Sequence, residues 1–271
     1  MPTVQLPKRP FGRTGLQVSP LGLSGTFGID ADATERAFHE LSINYFFVTH
    51  RMKGLCEGLR RIVAAGHRDD IVLATGVNWP SGRAVRSEFE EVTRILGTDR
   101  MDVFQIFWVR WRWALARTID AMRELRQSGK VRAIGVSTHE RLLAPGYAKD
   151  FGLDMLMIRY NAAHRGAERE VFAQLPAERP AIVTYTATRW GRLLKPAGGL
   201  GPMTAEECYR FQLAHPAVDV ALTGAKTWNE LKANAEGVAR GPLPPERLDQ
   251  VRRFGDAVHE SLSQRFSFGR N

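Results

Sequence analysis

The chain has 271 residues, 44% hydrophobic and 25% charged, so it can bury a large core and has the balance of a soluble globular protein. No apolar run approaches the roughly 20 residues of a membrane helix. The N-terminal Met1–Pro7 lacks the apolar core of a signal peptide, so a cytoplasmic protein without a membrane partner is expected. The net charge of +9 raises the question of a nucleic-acid partner, but only seven of the 38 basic residues are lysines and the arginines are scattered beside glutamates. Pairs such as Arg86 and Glu90, at i,i+4 spacing, read as a salt-bridged surface rather than a nucleic-acid stripe. Cys56 and Cys208 lie far apart in helix-like stretches and read as free, packed thiols in a reducing compartment.

Residues 9–19 read as a small β-hairpin with a Gly-containing turn. After it the chain alternates. A strand over Leu21–Gly25 precedes a helix to Leu41, with Asp32 as its cap and Glu35 as a capping-box partner. Strand Ile43–Val48 is almost wholly apolar, as burial of both faces requires, and Gly54–Ala65 is a helix with Leu55, Leu59 and Ile62 on one face. Strand Ile71–Thr75 leads to helix Arg83–Leu96, and strand Met101–Phe107 to helix Leu115–Gln127. Strand Val131–Ser137 is followed by a short helix broken near Pro145 and Gly146, then by strand Leu153–Ile158 and helix Glu168–Leu175. Strand Ala181–Thr186, a Gly- and Pro-rich loop over 191–203, helix Ala205–Ala214 and strand Val218–Thr223 come next. Helices from Trp228 and from Pro245 close the chain.

Eight strands, each followed by a helix, with no composition break, describe one domain over 1–271 that closes as a (β/α)8 TIM barrel with an N-terminal hairpin plug and an extra C-terminal helix. An open doubly wound sheet would carry a GxGxxG first turn, which Gly22–Gly28 does not match. In a barrel the functional side chains lie at the C-terminal strand ends. Here those ends are Ser24–Phe27, Val48–His50, Gly76–Trp79, Phe107–Arg110, Ser137–His139, Arg159–Asn161, Tyr185–Ala187 and Thr223–Lys226.

Five segments in order resemble the aldo-keto reductases: the hairpin Gly12–Ser19 with Leu21–Leu23, Ile43–Phe46, Gly129–Ser137, Tyr160–Asn161, and Gly224 with Glu230 and Asn234. The resemblance implies hydride transfer between NADP(H) and a carbonyl or alcohol, with a tyrosine as proton donor among a lysine, an aspartate and a histidine. A phenol with a pKa of about 10 needs such a cation beside it to act near neutrality. In this sequence the aspartate position is Phe47, the tyrosine Met52, the lysine Gly76 and the histidine Phe107. No alignment slip restores them: 42–66 hold no aspartate and only Tyr45 as tyrosine, 67–100 no lysine, and 101–122 no histidine. Tyr45 shares the inward parity of Phe47 but lies about 6.6 Å deeper, a core position. Lys53 and Glu57 read as a helix start and a surface pair.

The resemblance places Ser137 and Thr138 at the nicotinamide carboxamide, with the family's glutamine replaced by Met157, and Tyr185 against the nicotinamide ring. Gly224, Lys226, Thr227, Glu230 and Asn234 would take the adenosine end, where helix-start N–H groups and a lysine favour a phosphate. NADP(H) is therefore the expected cofactor, without a metal, since no His/Cys/Asp cluster has ligand spacing. Trp108, Arg110, Trp111, Arg112 and Trp113 cluster at the mouth, at least one tryptophan being core, and could clamp an anionic or aromatic ligand. Phe47, Trp108, Arg110, Arg159 and Asn161 form the expected substrate pocket. His50, in the loop that lacks the tyrosine, is the candidate proton donor; Arg159 and His164 are the other ionisable groups near strand ends. An iminium substrate would need no donor. The alternatives are a non-redox ligand binder, a lyase or isomerase built on the Arg/Trp mouth, or a regulatory pseudoenzyme.

Overall fold

The computed structural model describes residues 4–267, with side chains through Ser261; the first three and last four residues of the 1–271 span lie outside it. Eight parallel strands close a barrel in the order β10-β3-β4-β5-β6-β7-β8-β9. They are β3 (Leu21–Ser24), β4 (Tyr45–Phe47), β5 (Val72–Val77), β6 (Met101–Ile106), β7 (Val131–Thr138), β8 (Met155–Arg159), β9 (Ala181–Tyr185) and β10 (Val220–Thr223). The hairpin β1 (Arg9–Pro10) and β2 (Gln17–Val18) precedes them. Its buried Phe11, Leu16 and Val18 pack with Tyr45, Val72, Val103, Met155 and Val220 in the barrel interior, and the Phe11 and Tyr45 rings lie 5.4 Å apart. The plug sits so close that a Cβ at Gly12, whose φ is +49°, would come within 2.3 Å of the Ala181 nitrogen.

The second core lies between the barrel wall and its helices, where the opposite parity of the strands (Leu23, Phe46, Leu73, Phe104, Ile134, Leu156, Ile182) meets the apolar helix faces. The helices are α1 (Ala31–Leu41), α2 (Lys53–Ala64), α3 (Gly82–Leu96), α4 (Arg112–Gln127), α5 (Ala144–Phe151), α6 (Ala167–Glu170), α7 (Ala205–Leu213), α8 (Trp228–Ala239) and the extra C-terminal α9 (Pro245–Ser267). Both cysteines are free and buried. No helix among the described residues is long and apolar enough to cross a membrane.

Four local expectations are corrected. The cap of α1 is Asp30, whose carboxylate accepts from Ala33 N–H, while Asp32 and Glu35 both pair with Arg61. Pro145 does not break its helix but begins it, since its missing N–H costs nothing in the first turn. The helix expected over Glu168–Leu175 is a single turn, α6, followed by a 3-10 turn at Phe172–Gln174. Arg86 reaches Glu124 on α4 at 2.9 Å rather than Glu90 on its own helix. Helix-to-helix charges compete with i,i+4 spacing, and only packing decides between them.

At the N-terminal end of the barrel one device recurs on every second strand. Asn44, just before β4, accepts from Ser19 N–H at 2.6 Å. Asp102 in β6 accepts from Leu73 N–H at 2.9 Å and pairs with Arg68 at 3.0 Å. Asp154, before β8, accepts from Ile134 N–H at 3.0 Å and pairs with Arg126 at 2.8 Å. Asp219, before β10, accepts from Ile182 N–H at 2.8 Å and takes both terminal nitrogens of Arg179 at 2.8 and 2.7 Å. Each acceptor, buried in Asn44, Asp102 and Asp219 and half-buried in Asp154, satisfies a strand N–H near the barrel floor. Asp219→Ala leaves the Arg179 charge and that N–H unpaired, and is expected to cost about 3 kcal/mol in urea unfolding, with Asp219→Asn losing less.

Candidate functional site

The inward-facing side chains of the upper layer meet at the C-terminal mouth. At its centre the Phe47 and Phe107 rings pack edge to face, with centroids 5.5 Å apart. Beside them Gly76 pairs with Gln105 across β5 and β6, and a Cβ at Gly76 would stand 1.9 Å from the Gln105 carbonyl oxygen and 2.9 Å from its Cγ. The fully buried Gln105 amide has no hydrogen-bond partner at either end. Met52 precedes α2 and is half-buried. Phe47, Phe107, Met52 and Gly76, to which the resemblance would give the proton-transfer residues, are therefore two touching rings, a thioether and a glycine that cannot carry a side chain without a shift of β6. Tyr45 lies below them, wholly buried, with burial pushing its phenol pKa up.

His50 lies beside this centre in sequence, but its Nδ1 is 2.8 Å from the Glu88 carboxylate on α3, and Glu88 is nearly buried. The carboxylate fixes the imidazole's orientation, so His50 is an oriented His–carboxylate pair rather than a loose surface residue. Lys53 begins α2, and Glu57 pairs with Arg60 and Arg61 on its surface.

The opposite wall is polar. Ser137 Oγ accepts from Trp108 N–H at 3.0 Å and leaves its own proton without a partner, while Trp108 adopts a left-handed φ of 55°. Thr138 points away from the barrel axis, donating to Val109 O at 2.6 Å and accepting from Glu140 N–H at 2.9 Å. Tyr185 Oη lies 3.2 Å from His139 Nδ1. Burial raises the Tyr185 pKa to about 12 against the pull of Arg159, and lowers that of His139 together with Arg159 and Arg110. His139 was legible as a strand-end residue two positions past Ser137, hence on the same face, but nothing in the sequence paired it with Tyr185. Arg159 projects inward at the end of β8, opposite Tyr185 in register. Asn161 is fully buried, its amide donating to Thr186 O at 2.9 Å and accepting from Ala163 N–H at 3.1 Å.

At the last barrel unit Thr227 caps α8, accepting from Glu230 N–H, and Glu230 in turn accepts from Lys226 N–H at 2.8 Å. The Lys226 side chain is exposed and forms no ion pair among the described residues; Asn234 is buried, reaching Thr223 Oγ1 at 3.4 Å. The Phe27 ring rests on Gly224, where a Cβ would meet it at 2.5 Å. Around the rim Trp79, Trp108, Trp111, Trp113 and Trp190 are all more than half exposed, and Trp111 stacks on Trp113 at 5.9 Å. The expectation that one of the mouth tryptophans is core therefore fails: α4 turns Ala114, Leu115 and Thr118 inward, and its first turn projects the rings outward. Arg110 is exposed beside them.

These residues suit a nicotinamide dinucleotide in part. Among the described residues Ser137 keeps a free hydroxyl proton for a carboxamide oxygen, and Arg192, Lys195 and Lys226 form no ion pair, a donor set for phosphates. Met157 offers no amide.

A family model described as the aldo/keto reductase family matches residues 55–198. This chain belongs to that family, whose members are oxidoreductases that generally bind NADP(H). It is 24% identical over 288 residues to the uncharacterized oxidoreductase YqkF of Bacillus subtilis (strain 168), covering 89% of this chain and 94% of that one. L-galactose dehydrogenase of Arabidopsis thaliana is 30% identical over 154 residues, 48% of this chain and 47% of the plant protein. The holo form of aldo-keto reductase AKR11C1 from Bacillus halodurans superposes with a TM-score of 0.77 at 24% identity, over 92% of this chain and 96% of that one, a likeness of fold.

Two outcomes are expected. Gly76→Ala is expected to lower stability by about 1–3 kcal/mol, measured by urea unfolding, because its Cβ forces β6 aside. His164, near the mouth, has its pKa pushed down to about 3 by burial and by Arg159, Arg189, His259 and Arg141. A depressed folded-state pKa contributes stability that is present above the unfolded value of about 6.5 and lost as pH falls toward 3. Thermal unfolding of His164→Asn, which cannot charge, should therefore show a shallower acid loss than the parent.

Proposed function

We propose that this chain is an NADP(H)-binding aldo-keto reductase whose ordinary carbonyl reductase chemistry is altered or lost. The observation that carries the reading is the Phe47–Phe107 contact beside Gly76, which leaves no exchangeable proton at the positions where the family keeps its tetrad. Bound NADPH would supply a hydride equivalent. Ser137 would orient its carboxamide and Tyr185 its ring, with Gly224, Lys226, Thr227, Glu230 and Asn234 along the adenosine end. Hydride addition to a carbonyl builds negative charge on oxygen, and that charge needs a donor in the transition state. Phe47, Met52, Gly76 and Phe107 provide none. The donors that remain are His50, held by Glu88, water, or the substrate itself. An iminium compound needs no such donor, and a small anionic or aromatic molecule suits the Arg- and Trp-bearing rim. With both thiols free, a reducing compartment such as the cytoplasm suits the chain.

A second reading, a non-redox lyase, isomerase or binder, is favoured by one contact: Tyr185 and His139 form an acid–base pair within 3.2 Å, with Arg159 beside it. A regulatory pseudoenzyme finds no specific support.

Titration with NADPH, followed by nicotinamide fluorescence, is expected to saturate; no saturation up to about millimolar cofactor overturns the first reading in favour of the second. With binding established, simple aldehydes should turn over at least ~10³-fold more slowly than cyclic imines, a ratio set by the missing proton donor. Steady aldehyde turnover that survives His50→Ala would remove His50 as the donor.

A further inference from the structure

The chain supplies most of its half-buried structural arginines with anionic partners. Arg126 has Asp154, Arg141 has Glu170 at 2.6 Å, Arg179 has Asp219, Arg247 has Glu207, and Arg252 has Glu168. Two half-buried arginines at the barrel mouth break this rule. Among the described residues the side chains of Arg159 and Arg189 make no hydrogen bond or ion pair, and Arg159 Nε together with Arg189 Nε and Nη1 is buried and unpartnered. His164 Nδ1 is buried and unpartnered as well.

These three residues are brought together by a built scaffold. The backbones of Asn161 and His164 bridge each other, which fixes the turn that carries His164 after β8. The Asn161 side chain then donates to Thr186 O, tying that turn to the loop after β9. In that loop Thr186, Arg189 and Trp190 all have left-handed φ angles of 51–58°, and Arg189 N–H and Gly191 N–H are held by Thr186 O and Thr188 Oγ. Non-glycine residues in this region are strained, so the loop is held in place by its surroundings. The charges of Arg159 and Arg189 act on each other and on the His164 ring, whose proton is given up under their influence and that of burial.

We propose that Arg159, Arg189 and His164 form an anion-binding site that takes the carboxylate or phosphate group of a small-molecule ligand. Two guanidinium groups whose charges act on each other, with unpartnered buried N–H groups and no ion pair among the described residues, repel each other, and an oxyanion that accepts from both relieves the repulsion while satisfying those N–H groups. Neutral His164 adds one further ring nitrogen. The site assigns the ligand a charged group, and it stands whether or not the neighbouring wall of Ser137 and Tyr185 holds a dinucleotide.

The test is thermal unfolding and calorimetric titration of the full chain with inorganic phosphate, with acetate, and with chloride at matched ionic strength. Saturable stabilisation by phosphate or by acetate, beyond that by chloride, is expected; the stronger of the two tells which group the site takes. Arg159→Gln and Arg189→Gln should each weaken that binding at least ~10-fold while leaving the free protein as stable or more so, because each removes a like-charge repulsion. Lys149→Gln, an exposed change on α5, should leave binding as it is. Equal effects of all three anions, or binding that persists in both arginine variants, overturn the site. Competitive displacement of the anion by NADP, with both variants losing NADP in parallel, also overturns it, since the arginines then belong to the cofactor's own phosphates. Failure of NADP to bind, with the anion still bound, would sink the redox reading and leave the site intact.

Discussion

The alternating clamp at the barrel floor is the interaction on which the rest depends. Asn44, Asp102, Asp154 and Asp219 each stand at the entry of every second strand and accept a hydrogen bond from the strand before it. A parallel barrel has no hairpins to set its register, so strand entries must be aligned by side chains or by the plug. Three of the four acceptors also hold an arginine, which makes those clamps charge-assisted. Register set at the floor carries up the strands and decides which residues look inward at the mouth. Phe47, Gly76, Phe107, Ser137, Arg159 and Tyr185 share the upper layer for that reason.

Floor and mouth use the same residue types under opposite rules. At the floor, buried acids and arginines are satisfied by each other. At the mouth, the Arg159 and Arg189 side chains are left without an acid among the described residues, with tryptophans exposed around the rim. Stability is concentrated where nothing binds, and unspent donors where a ligand could enter. The centre of the mouth follows a third rule. Two phenyl rings and the Gly76–Gln105 approach replace ionisable groups with packed apolar contact, so recovering a tetrad there would require moving β6 as well as changing side chains.

The elements that were legible in the sequence are those with a strong local signal. Eight apolar runs, Gly129 closing a helix and the Gly12 turn each state their own geometry through burial of both faces or a positive φ. That Phe47, Met52, Gly76 and Phe107 carry no ionisable group was equally legible, because residue identity is read directly and folding cannot change it. Where two solutions were locally equivalent, the sequence misled. Asp30 and Asp32 are both good caps, and Arg86 has both Glu90 and Glu124 within reach of a long side chain. The mouth tryptophans carry the same composition whether they turn in or out.

What the sequence determined by itself was the barrel, its plug, and which residue types stand at its strand ends, since strand count, parity and residue identity are properties of the chain alone. What only the tertiary structure decided was partnership. That His50 is held by Glu88, that Tyr185 meets His139, and that Arg159 and Arg189 find no acid among the described residues depends on side chains brought together from strands and loops tens of residues apart. The physical reason is that charge and hydrogen-bond complementarity act over a few ångströms of space, whereas local sequence patterns report only the segment in which they occur.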